Sequence, residues 1–277
     1  MTALTQTRLA HISDVHFGRE DADLVQGLLA ALAEARPDVI VVSGDLTQRA
    51  RKGQFRKARA FLRELPKVPQ LVVPGNHDVS ATNLLARLAR PLKRYRRYIA
   101  DDLTPYLELE GVAIAGINTV RRLARKDGRI NRSQVAAACE QLSRAPATAV
   151  RIVVTHHPID LPLHDLRNAP IARAPMAIRA FAAAEVDLFL SGHIHTGHAM
   201  VTGSRQPGLP YAAVIAHAGT AVSTRTRNEP NGWNLIDLEA RDRMTIQQMH
   251  WSPSTTRFVP GPSARFHRGP HGWTPEA

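Results

Sequence analysis

VVPGNHDVS, residues 72–80, ends an apolar run with a glycine and then presents an amide, an imidazole and a carboxylate in succession: Asn76, His77 and Asp78. The same arrangement recurs along the chain. RLAHIS (8–13) leads to Asp14 and His16, and VIVVS (39–43) leads to Gly44 and Asp45. RIVVT (151–155) leads to His156 and His157, and LFLS (188–191) to Gly192, His193, Ile194 and His195. Short apolar runs bounded by turn residues and separated by segments of helical period predict alternating strands and helices, an α/β fold. In a sheet of parallel strands the carboxyl ends lie along one edge, so loops distant in sequence converge on one crevice. Glycines at 44, 75 and 192 agree with this, because a strand that turns sharply beside a site favours a residue without Cβ.

Helices are expected at Asp21 to Ala35, Gln54 to Leu65, Pro91 to Ile99, Ser133 to Ser143 with Ser133 as N-cap, and Met176 to Ala184. After Gly197 the pattern changes to YAAVIAHAG, WNLIDLE and MTIQQMHW, strand candidates without intervening helices, which reads as an antiparallel meander closing a second sheet. The chain is read as one domain over residues 1–251 followed by a Pro/Gly-rich surface tail over 252–277, with little to bury beyond Phe258 and Trp273.

Composition narrows the partners. The chain has 277 residues, 44% hydrophobic, with no unbroken run near the ~20 apolar residues that a membrane-spanning helix needs. The start MTALTQTRLAHIS lacks the basic and apolar regions of a signal peptide, so a soluble, cytoplasmic protein is expected. The single cysteine, Cys139, sits in a helix-like context and reads as a packing residue. A net charge of +12 favours anionic partners: a phosphoester substrate, nucleic acid or an anionic membrane surface.

Aspartate, asparagine and histidine are oxygen and nitrogen donors suited to manganese, iron or zinc and unlike a thiolate site. A carboxylate has two oxygens and can bridge two ions, as in two-metal enzymes that clamp a displacement at phosphorus. Singly each motif is weak, since Gly-Asp is an ordinary turn and a lone histidine at a strand end is usually structural. Five loops together are specific. In order, D-x-H, G-D, G-N-H-D, H and G-H-x-H resemble the calcineurin-like metallophosphoesterases over residues 8 to 240, and that resemblance implies a four-layer αββα sandwich of two mixed sheets.

The resemblance also implies roles. Asp14, His16, Asp45 and His195 resemble the ligands of one divalent ion, and Asp45, Asn76, His156 and His193 those of a second, with Asp45 as the bridge. His77 resembles the non-ligand histidine beside the scissile phosphate, and Asp78 the carboxylate that orients it. Between the two histidines of THHP the family spacing selects His156 as ligand. His157, with Arg94 and Arg97 of the basic segment PLKRYRRYI (91–99), is assigned to substrate binding. A hydroxide bridging the two ions would attack phosphorus while His77 stabilises charge or protonates the leaving oxygen.

HISDVH, GDLT, THHP and INTVRRLARKDGRINRSQ resemble most the small bacterial phosphodiesterases of the cyclic-nucleotide (class III) type, implying a phosphodiesterase, with a 3′,5′-cyclic nucleotide as one substrate. A second reading is hydrolysis of a lipid-linked phosphate or pyrophosphate such as a UDP-sugar lipid precursor. It is motivated by the charge and by RLARPLKRYRRYI, although plain bacterial hydrolases of that kind usually carry arginine where this chain has His77. A third is a non-catalytic nucleic-acid or protein-binding scaffold, against which every ligand position here is filled. The remaining histidines, among them His11, His164, His198, His217, His250, His267 and His271, read as structural or exposed.

Overall fold

The computed structural model describes residues 6–80, 84–124, 126–203, 205–227 and 229–276; the first five residues of the N-terminal stretch read above lie outside them. The first sheet has the order β13-β12-β11-β10-β1-β2-β3 and the second β4-β5-β6-β7-β9-β8. In chain order the elements are β1 (Gln6–Ile12), α1 (Ala22–Ala35), β2 (Val39–Val42), α2 (Lys52–Glu64), β3 (Gln70–Val72), α3 (Leu84–Ala89), α4 (Lys93–Tyr98), β4 (Tyr106–Leu109) and β5 (Val112–Ile117). There follow α5 (Arg132–Ser143), β6 (Val150–Thr155), α6 (Ala174–Ala183), β7 (Leu188–Ser191), β8 (His198–Val201), β9 (Val214–His217), β10 (Gly232–Glu239), β11 (Arg243–Ser252), β12 (Arg257–Gly269) and β13 (Gly272–Pro275). No helix among the described residues is long and apolar enough to cross a membrane.

Strand alternation makes the layers. Leu9, Val39 and Val41 turn one way and meet Val112, Ile114, Val150 and Ile152 of the other sheet, whereas Ala10, Ile12, Ile40 and Val42 turn the other way against Leu28, Leu32, Phe55 and Phe61 of α1 and α2. On the far side Ala113, Ala115 and Val153 pack on Val135, Leu142, Ile178 and Phe181 of α5 and α6. Period-two side-chain placement thus feeds two interfaces from each sheet, giving the αββα sandwich of two mixed sheets. In α1 the Asp21 carboxylate caps the first turn through Asp23 N–H and Leu24 N–H, and Leu24, Leu28 and Leu32 recur every fourth residue on the buried face.

Four expectations need correction. The meander after Gly197 does not close the second sheet: β9 joins it beside β7 in parallel, and the chain then returns so that β10 pairs antiparallel with β1 and β11 antiparallel with β10, extending the first sheet. Of the surface tail expected over 252–277, residues 257–269 and 272–275 are strands instead: β12 pairs with β11 from Arg257 to His267, and β13 pairs with β12. Pro260 and Pro262 lie in the first half of β12, which β13 leaves uncovered at the sheet edge, the place where strands tolerate proline. Trp273 is fully buried and donates its indole N–H to Asp187 Oδ1 at 2.9 Å. Finally, α5 is capped at Asn131, not Ser133, with Gln134 Oε1 accepting the Asn131 N–H at 3.0 Å. The segment 91–99 is helical only from Lys93 to Tyr98, and Leu92 and Tyr95 pack inward.

Candidate metal centre

Strands β1, β2 and β3 run parallel, as do β6, β7 and β9, and the loops leaving their carboxyl ends carry the residues singled out above. The backbone there is unusual: Asp14, His16, Asp45, His193 and His195 all have φ between 45° and 70°. Such left-handed conformations are uncommon for residues with a side chain and cost on the order of 1–3 kcal/mol each, so their gathering at one place marks a site that the surrounding fold enforces. Two glycines permit the approach. A Cβ on Gly75 would fall 2.1 Å from Asp45 Oδ1, and one on Gly192 would fall 1.9 Å from Ser13 Oγ.

The donor atoms converge. Asp14 with His16 and His195 form one group within 4.8 Å, Asp14 with Asp45 and His156 a second, and His156 with His157 and His193 a third. His16 Nε2 lies 3.4 Å from Asp14 Oδ1 and 3.7 Å from Asp45 Oδ2. His195 Nε2 is 3.6 Å from Asp14 Oδ1, and His156 Nε2 is 3.4 Å from Asp45 Oδ2 and 3.1 Å from Asn76 Oδ1.

The surrounding shell leaves these inner atoms available. Asp14 Oδ2 accepts from Ser13 Oγ at 2.7 Å and His193 N–H at 2.9 Å, while Asp45 Oδ1 accepts from His77 N–H at 2.8 Å, so each carboxylate keeps its other oxygen for the centre. His156 Nδ1 donates to Ser43 O at 2.7 Å. His195 Nδ1 donates to Thr220 Oγ1 at 2.6 Å, whose hydroxyl donates to Arg225 O at 3.1 Å. Holding one ring nitrogen by hydrogen bonds turns the other toward an ion. Asp14 Oδ1 and His16 Nε2 are buried with no hydrogen-bond partner among the described residues, a costly state that a cation between them would relieve. The donor set fits divalent ions of the manganese, iron or zinc kind.

Charge follows the same logic. Burial favours neutral acids at Asp14 and Asp45, but the surrounding histidines hold both carboxyls well below the usual range. Burial pushes His193 down to about 3 and His195 to about 4, leaving them neutral and ready to donate. At His156 burial works against the charge, yet Asp45 prevails and raises it to about 9.

Other assignments come out differently. Both ring nitrogens of His157 are engaged, Nδ1 with Thr119 Oγ1 at 2.7 Å and Nε2 with Lys126 O at 2.8 Å, so it is a loop anchor and is not open to substrate. Among the described residues Asp78 forms no hydrogen bond with the His77 ring; it accepts from Leu46 N–H, Thr47 N–H, Thr47 Oγ1 and Gly75 N–H, clamping two of the site loops together. Burial, aided by the charge of Asp45, raises the Asp78 carboxyl to about 6. His77 Nδ1 donates to Gln48 O at 2.8 Å, and its Nε2 accepts from Arg225 Nη1 at 3.0 Å. A carbonyl can only accept and a guanidinium can only donate, so the partners fix this tautomer, and Nε2 carries a lone pair where a general acid would need a proton.

A cavity of 240 Å³ opens onto Asp45, Asn76, His77, His193 and His195, and its remaining walls are Lys126, Arg225 and Arg227. None of these three cations was singled out from the sequence, because none follows an apolar run at fixed spacing: Lys126 lies within INTVRRLARKDGRINRSQ (117–134) and Arg225 and Arg227 within TRTR (224–227). Arg94 and Arg97 line a different pocket, without any of the seven donors.

Comparisons with known proteins agree with the geometry. The family model of the calcineurin-like phosphoesterases matches residues 7–197. The chain is 33% identical over 183 residues to a glycerophosphodiester phosphodiesterase of Enterobacter lignolyticus, a match spanning 59% of this chain and 61% of that protein. It is 28% identical over 260 residues to a cAMP/cGMP dual specificity phosphodiesterase of Mycobacterium tuberculosis, spanning 83% of this chain and 75% of the relative. Among solved structures, a dimetal phosphatase from Danio rerio superposes with a TM-score of 0.63 at 14% identity, covering 92% of this chain and 98% of that one. A purple acid phosphatase from yellow lupin gives 0.70 at 11% identity, covering 94% and 53%. The family model spans well over half of the chain, including every loop that carries a donor, and the chain belongs to the calcineurin-like phosphoesterase family.

Proposed function

We propose that the protein is a phosphodiesterase working through two divalent ions, one held by Asp14, His16, Asp45 and His195 and the other by Asp45, Asn76, His156 and His193. The observation that carries this reading is the pair of inner carboxylate oxygens, Asp14 Oδ1 and Asp45 Oδ2, each facing histidine Nε2 atoms at 3.4–3.7 Å. Divalent ions, when bound, supply a nucleophile from water at neutral pH and Lewis acidity toward phosphoryl oxygens.

The chain's own contribution is to bind and orient the ester. Lys126, Arg225 and Arg227 give the cavity the positive rim that draws in a phosphoester and neutralises its charge. His77, as an acceptor, aims Arg225 across the mouth. This replaces the general-acid role expected for His77, since its Nε2 proton site is taken by Arg225 and burial lowers the ring's pKa. A diester is favoured over a monoester by the two relatives, whose names both specify phosphodiester hydrolysis, and a 3′,5′-cyclic nucleotide is the natural first substrate to try. The test is hydrolysis by manganese-supplemented protein of bis-p-nitrophenyl phosphate, p-nitrophenyl phosphate and 3′,5′-cyclic AMP. Diesters should be cleaved faster than the monoester; a monoester preference would overturn the reading.

A further inference from the structure

We propose that the pocket beside α4, lined by none of the seven metal donors, is a second anion site built to take a small phosphorylated molecule. Its volume is 570 Å³, within the range of about 300–1,000 Å³ typical of small-molecule sites. Lys52, Arg90, Lys93, Arg94 and Arg97 converge on it. Arg94 is anchored by donation to Ala50 O at 2.7 Å, which fixes its charge at the wall. Among the described residues, Lys52, Arg90, Lys93, Arg94 and Arg97 form no ion pair, although neighbouring Arg96 pairs with Asp101 at 2.9 Å.

The one carboxylate in the wall does not neutralise them. Asp78 is buried and its oxygens accept four hydrogen bonds from the site loops. Five cations held around a concavity without counter-charge form an electrostatic trap for a compact anion with two or more negative charges. The concave shape favours a small molecule over a nucleic-acid backbone or a bilayer, which would need an extended surface. None of the seven metal-donor residues belongs to this pocket, so the inference stands whether or not the phosphodiesterase reading is right.

Calorimetric titration of inorganic phosphate into the manganese-loaded full chain tests it. Wild type should show a phosphate site that survives Arg225→Ala, a change confined to the metal cavity. The triple variant Lys52→Ala, Arg90→Ala, Lys93→Ala alters only exposed side chains. It should weaken that site at least about tenfold while leaving metal content and bis-p-nitrophenyl phosphate hydrolysis unchanged. Lys93→Ala alone should give a smaller loss in the same direction. Equal phosphate binding in wild type and triple variant, or no phosphate site outside the metal cavity, would overturn the proposal. So would loss in the triple variant of binding to an oligonucleotide or to anionic vesicles with phosphate binding intact.

Discussion

Asp45 touches both halves of the centre: Oδ1 is taken by the His77 N–H, and Oδ2 lies between His156 Nε2 and His16 Nε2. Asp45→Asn preserves shape but removes the shared charge. It should reduce bound metal below two per chain and activity by more than about 10²-fold, since losing even a hydrogen-bond partner of a ligand costs about 10–100-fold; unchanged metal content with full activity would refute the bridge. Thr220 acts one step out, holding His195 Nδ1 at 2.6 Å. Thr220→Val should weaken metal affinity about 10–100-fold, read by competition with a chelating dye, with little change in secondary structure by circular dichroism. Affinity equal to wild type would mean that this hydrogen bond does not orient His195. The donors were legible because each follows an apolar run within a few residues, where a strand end must lie. Arg225 and Thr220 were not, because they sit on a long loop after β9 whose path depends on tertiary contacts. The orienting role of Asp78 came from the resemblance; in the 3₁₀ turn its carboxylate instead accepts from Leu46, Thr47 and Gly75, contacts that no local pattern announces.

The parallel units β1-α1-β2-α2-β3 and β5-α5-β6-α6-β7 were readable from their alternating periods, and their strand ends fall where the motifs predict. The return of β10 to pair with β1 was not readable, because Asn234 and His11 give no local sign that they face one another across 223 residues. Composition also hid β12 and β13. Their prolines and glycines suggest a tail, yet Phe258, Phe266 and Trp273 are buried at the positions the pairing turns inward. Asp187 gathers the Trp273 indole at 2.9 Å, the Tyr211 hydroxyl at 2.6 Å and Arg241 Nε at 3.0 Å, tying β13 to the second sheet. Trp273→Ala should therefore lower stability by about 3–5 kcal/mol in urea unfolding, as for other large buried aromatics. A loss under about 1 kcal/mol would show that β13 is dispensable and that the tail reading was nearer the truth.

The sandwich also encloses a histidine outside the proposed ligand set, and it makes stability depend on pH. His11 is fully buried between two sheet partners, its Nε2 donating to Ser43 Oγ at 2.9 Å and its Nδ1 accepting from Asn234 Nδ2 at 3.3 Å. Burial pushes its pKa from 6.5 to about 3. The unfolded chain then binds a proton that the folded one refuses, so stability is full above pH 6.5 and falls as pH drops toward 3, by about 1.4 kcal/mol per pH unit. His11→Gln should lessen the slope of stability against pH between 6 and 4 by about one proton; an unchanged slope would mean that His11 does not titrate on unfolding. The central claim remains the paired ions. Its most direct test is elemental analysis of the purified chain beside its hydrolysis of bis-p-nitrophenyl phosphate, before and after chelation. The account predicts two transition-metal ions per chain, loss of activity with their removal and recovery on adding manganese; full activity in protein shown to be metal-free would contradict it.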